Sequence, residues 1–101
     1  MYLIQLLLPL YDNAGKPVDE SLLAGVRREL LDRFGGLTAY NRAPASGAWR
    51  DGNTVSRDEI VVIEVMADAL DRNWWASYRS ELEQRLGQQE LVVRSHAIER
   101  L

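Results

Sequence analysis

Seven residues, IVVIEVM from Ile60 to Met66, restrict the fold of this chain more than any others. They are β-branched and apolar except for Glu64, so they read as a strand. Side chains alternate along a strand. Val61, Ile63 and Val65 therefore share one face, while Ile60, Val62, Glu64 and Met66 share the other. Both faces are largely apolar, which suits a central strand with something packed on each side.

The rest of the chain supplies neighbours for it. Tyr2 to Leu10 is a second apolar stretch, with Gln5 as its polar member and Pro9 near its end, where a missing ladder donor does least harm. YDNAGKP then makes a turn. Asp19 is a helix N-cap, with Val18 and Leu23 spaced as a hydrophobic staple. Leu22, Val26, Leu30 and Phe34, with Leu23 and Leu31 alongside, form the stripe of an amphipathic helix that Gly35 ends. Leu37 to Ala43 reads as another strand, interrupted at Pro44 to Gly47, and Asp51-Gly52-Asn53 is a reverse-turn signal. Asp71 caps a second helix, with Leu70 and Trp75 as its staple. Trp74, Trp75, Tyr78, Leu82 and Leu86 form its apolar face, and Gly87 lies at its end. Leu91 to Ala97 is the last strand, with Ile98 to Leu101 as an extension.

The order is βαββαβ within one domain, residues 1–101. It predicts an α+β, ferredoxin-like two-layer sandwich: a four-stranded antiparallel sheet with two helices on one face. The first and third strands are central in that topology. Leu8, Val61, Ile63, Val65, Leu91 and Val93 are the expected helix-covered positions.

Composition narrows the function classes. A formal charge of −3 argues against a general nucleic-acid binder, which needs a basic surface. An RNA-recognition sheet shares the element order, but IVVIEVM offers no stacking aromatic. The chain has no cysteine, which excludes disulfides, thiolate nucleophiles and cysteine-held metal clusters, and fits a cytoplasmic setting. The apolar start MYLIQLLLPL lacks a basic leading segment and is shorter than the roughly 20 residues a membrane span needs, so no membrane partner is expected. No nucleotide-loop, HExxH or GxSxG pattern occurs.

A two-layer fold leaves one sheet face without helices. Leu3, Gln5 and Leu7, then Ile60, Val62, Glu64 and Met66, then Val92, Arg94, His96 and Ile98, and Thr38, Tyr40 and Arg42 all fall there. An apolar face with a few polar groups marks a contact site, and a second copy of the same chain is the expected cover.

GLTAY, AP and GAW, followed by DEIVVIEVM and WW, resemble a group of small, uncharacterised bacterial proteins. Their architecture is similar to the dimeric α+β barrels, in which two ferredoxin-like sheets meet face to face. That group includes haem-degrading and quinol-forming monooxygenases and muconolactone-isomerase-like enzymes. The resemblance implies a homodimer around a small cavity and selects no activity.

The candidate site follows from the same face. Tyr40, Arg42, Trp49 and Arg94 are the ligand-binding candidates, and Glu64 and His96 are the weaker, catalytic ones. Trp49 reads either as an aromatic plug or as a pocket wall on a long connection from Pro44 to Arg57. Glu64, in an apolar strand, calls for an ion pair with Arg42 or Arg94, or serves as an acid or base. His96, the sole histidine, would need a positioned partner such as Glu64 to act as a base. One histidine and one glutamate make too few ligands for a metal site, and no cofactor is expected. The functional expectation is a homodimeric domain that binds a small organic ligand or a partner. The alternative is a cofactor-free monooxygenase- or isomerase-like enzyme acting on a small anionic substrate.

Overall fold

The computed structural model describes residues 1–39, 45–51 and 54–101, with side chains over 1–38 and 60–101. In chain order the elements are β1 (Tyr2–Pro9), α1 (Glu20–Phe34), β2 (Thr38–Ala39), β3 (Ala45–Asp51), β4 (Thr54–Ala67), α2 (Arg72–Arg85) and β5 (Val92–Ala97). The sheet order is β2-β4-β1-β5, with β3 also paired to β4. Every pairing is antiparallel. Three strands, β1, β4 and β5, carry the sheet beside the helices.

The second strand differs from its expectation. Its described part is only Thr38–Ala39, and it pairs with Ile63 and Glu64 of β4. The segment expected to bend or connect instead contains β3, which pairs with the first half of β4 from Ala45↔Ile60 to Asp51↔Thr54. β4 is accordingly 14 residues long rather than the seven of IVVIEVM. Backbone pairing is indifferent to side-chain type, so a ladder with β4 holds ASGAWRD extended although its glycine and alanines give it little strand preference.

Both helices begin as their caps require. The Asp19 carboxylate accepts from the Ser21 amide at 3.1 Å, and the Asp71 carboxylate accepts from the Trp74 amide at 3.0 Å. Gly35 ends α1 at φ 78°, a left-handed backbone that lets its amide donate to the Leu31 carbonyl at 2.8 Å.

One core joins these parts. Ile4, Leu6 and Leu8 of β1 and Ile63 and Val65 of β4 are buried with Leu23, Val26 and Leu30 of α1 and Trp75, Tyr78 and Leu82 of α2. Both helices therefore lie on one face of the sheet. Of the positions expected to be covered, Leu8, Val61, Ile63, Val65 and Leu91 are buried, and Val93 packs against the core. Leu31, expected beside the α1 stripe, is exposed instead. At one end Phe34 stacks on Trp75 with centroids 5.3 Å apart, Trp74 meets both rings edge-on, and the Arg33 guanidinium lies 4.0 Å from the Trp74 ring centroid.

A polar clasp ties the helices together. The Tyr78 hydroxyl donates to Glu29 Oε2 at 2.8 Å, and Arg85 Nη1 donates to Glu29 Oε1 at 2.7 Å. Burial, and then the Glu29 carboxylate beside it, hold the Tyr78 phenol well above its ordinary pKa. Burial works against the Arg85 charge, but Glu29 and then Glu81 outweigh it and raise that pKa too. Among the described residues, no helix is long and apolar enough to cross a membrane.

Candidate functional site

The strand registers arrange the opposite face of the sheet in cross-strand rows. Leu3 of β1 lies between Met66 of β4 and His96 of β5. Gln5 lies between Glu64 and Arg94, and Glu64 continues the row to Thr38 of β2. Leu7 lies between Val62 and Val92. One polar row thus crosses the face; the row of Leu7 beside it is apolar, and the row of Leu3 on its other side is apolar except for His96.

Hydrogen bonds run along the polar row. Arg94 Nε donates to Gln5 Oε1 at 2.8 Å, and Gln5 Nε2 donates to Glu64 Oε2 at 2.6 Å. The Gln5 amide therefore links Arg94 to Glu64, and the other partner expected for Glu64, Arg42, lies outside the described residues. Gln5 was missed as a site residue, although its signal was present: a single amide in an apolar strand, directly opposite the position of Glu64 in the neighbouring strand. Each of these bonds has a charged partner, which makes it stronger than a neutral one.

The apolar members of the face retain much of their exposure. Met66 is 49% exposed and Val92 46%, while Leu3, Leu7 and Val62 are half-buried. These values belong to side chains that neither helix covers.

Where the face meets the end of α1, it deepens into an open cleft of about 790 Å³. Leu3, Glu64 and Met66 line it from the sheet, Arg33 from α1, and Arg100 from the chain end. Glu64 thus shares a concave surface with two arginines that sequence reasoning passed over. Arg33 falls outside the apolar stripe of α1, and Arg100 falls within the expected extension of the last strand, so neither carries a site signal of its own. No pattern in the sequence joins them, because they meet only where the α1 terminus and the chain end converge.

The other expected positions separate. His96 is exposed on β5 in the row of Leu3 and lies outside the lining of the cleft. Arg94 also lies outside it, turned toward Gln5. Tyr40 and Arg42 lie outside the described residues. Trp49 stands on β3 opposite Ser56, and its side chain lies outside the described residues. No group of three or more metal-ligating side chains occurs among the described residues.

No family model and no curated protein matches this chain. Solved structures do. A single-substitution variant of CutA1 from Pyrococcus horikoshii OT3 superposes with a TM-score of 0.62 at 9% identity, covering 100% of this chain and 86% of that one. A phage SAM lyase in its apo state superposes with a TM-score of 0.59 at 10% identity, covering 94% of this chain and 78% of the other. Both are ferredoxin-like α+β folds, so the likeness places the present chain in that fold class.

Proposed function

We propose that the uncovered sheet face is a self-association surface on which two copies of this chain meet, enclosing a site for a small organic ligand. The observation that carries the reading is the layout of the face, where apolar residues flank the single polar row Arg94–Gln5–Glu64. A sheet face meant for water alternates to polar side chains, and this one does not. An exposed apolar patch of a few hundred Å² usually serves contact, and two-fold pairing is the commonest form of self-contact. The finer fold reading goes with it: a full βαββαβ sandwich pairing face to face as in a dimeric α+β barrel.

The first form of this reading is a binding or interaction domain without turnover. The second is a cofactor-free enzyme of the monooxygenase or isomerase kind, and the cleft at Glu64 favours it. There Glu64 would exchange a proton with the substrate while Arg33 or Arg100 held an anionic group against it.

Sedimentation equilibrium at micromolar concentration tests the surface, and native mass spectrometry of the purified protein tests the ligand. The expected mass is twice that of the chain, with a small organic molecule retained. A monomer at those concentrations would overturn the reading. Glu64→Gln separates the two forms, since it leaves ligand retention intact in a binding domain and removes turnover in an enzyme.

A further inference from the structure

A second recognition feature lies on the other side of β5. The sheet order puts β5 at an edge, so only β1 pairs with it among the described residues. Alternate residues of such a strand aim their backbone N–H and C=O groups outward. A cleft of about 200 Å³ follows this edge, between β5 and α2. It is lined by Val93, Arg94 and Ser95, three successive residues of the strand. Val93 and Ser95 point to the helix-covered side, where Ile4 of β1 and Trp75 of α2 also line the cleft, so it lies between α2 and that side of the edge strand.

The helix side of this cleft is basic. Arg72, Ala76 and Arg79 line it, spaced to share one face of α2. Arg27 and Arg85 have carboxylate partners, and Arg33 lies over Trp74. Arg72 and Arg79 are exposed and have no ion-pair partner among the described residues. Two such cations stand beside a strand edge that no other described strand pairs, on a chain of net charge −3.

We infer that this edge takes an extended acidic peptide as an added strand, with its backbone paired to β5 and its carboxylates facing Arg72 and Arg79. Strand addition draws affinity from main-chain hydrogen bonds and selectivity from alternate side chains. Ala76 between the two arginines leaves room for the incoming chain. A second copy of this protein fits the edge poorly, because two-fold pairing of β5 with itself would set two arginine faces side by side. The inference concerns a different surface from the proposed self-association face and stands or falls separately.

The probes are the capped hexapeptide Glu-Val-Glu-Val-Glu-Val and its lysine counterpart, titrated into the labelled full chain and followed by amide NMR and hydrogen exchange. Expected are slowed exchange at alternate amides of residues 92–97 and shifts at Arg72 and Arg79. Binding of the lysine peptide should be at least tenfold weaker. Arg72→Glu with Arg79→Glu should weaken the acidic peptide about tenfold, the sum of two exposed charge pairs, and reverse the preference. A peptide N-methylated at alternate residues should lose the exchange protection. The inference is overturned if the β5 amides keep their free exchange rates, if charge reversal leaves affinity unchanged, or if free glutamate at matched concentration reproduces the shifts. It is equally overturned if the shifts fall on Leu3, Glu64 and Met66, which would mark the open face as the binding surface.

Discussion

Replacing Val92 with Thr and Met66 with Gln keeps the shape of the open face nearly constant and changes its polarity. Both side chains stand near half exposure, at 46% and 49%, so neither supports the core of the single chain. Fully burying a valine or methionine side chain is worth about 1.5–3 kcal/mol, and roughly half of that remains to be gained at each site. In a two-fold dimer both sites occur twice. Complete cover of the face therefore draws about 3–6 kcal/mol from these four side chains. The double variant should dimerise roughly 10²- to 10⁴-fold more weakly, while its unfolding free energy at a concentration where both proteins are monomeric falls by at most about 1.5–3 kcal/mol, the half of each burial already made within one chain. Sedimentation equilibrium over nanomolar to hundred-micromolar concentrations measures the first quantity, and urea unfolding the second. If the dimerisation constant moved less than threefold, these side chains would not be in the interface and the face would not be the contact surface.

Three further outcomes follow from other parts of the molecule. Tyr78→Phe removes the hydrogen bond to Glu29 and should cost about 1–2 kcal/mol in urea unfolding, at the lower end because the Glu29 side chain is 42% exposed and water can replace the hydroxyl. The folded Tyr78 pKa is raised from its ordinary 10.0, so its contribution is complete below about pH 10 and is lost as pH climbs beyond that; the Phe variant should lack this part of the alkaline decline in stability. Gly35→Ala should cost about 1–2 kcal/mol by thermal unfolding, entirely from the backbone at φ 78°, because no atom lies within 4 Å of where the new Cβ would sit; a neutral result would mean that α1 ends differently. Gln5→Leu removes both hydrogen bonds of the polar row and should destabilise the monomer by about 1–2 kcal/mol, with the Arg94 Nε–H resonance moving toward its solvent-exposed position; an unmoved resonance would show that Arg94 is held by something else.

The helices and the core were legible in the sequence because their signals are local. Asp19, Asp71 and Gly35 mark α1 and α2 through groups a few residues away, and the apolar spacing marks the faces they bury. Alternation in β1 and β4 likewise separates Leu8 and Val65 from Gln5 and Glu64 without reference to any partner. β3 was not legible, since ASGAWRD has no β-branched residue and is extended because β4 runs alongside it. Gln5 could be placed on the open face, but its role between Arg94 and Glu64 depends on the registers of two separate strand pairs. The cleft is less legible still: Arg33, Glu64 and Arg100 come from three distant parts of the chain.

The Gln5 side chain is locked in orientation, because its oxygen receives Arg94 and its nitrogen gives to Glu64. The row consequently has a direction, cationic toward β5 and anionic toward β4. A copy turned over about an axis along β1 would set each arginine above the other molecule's glutamate and glutamine above glutamine. A copy turned over about an axis along the row would oppose like ends. If the face is the self-association surface proposed above, the three side chains act as a polarised key that accepts one dyad and penalises the alternatives.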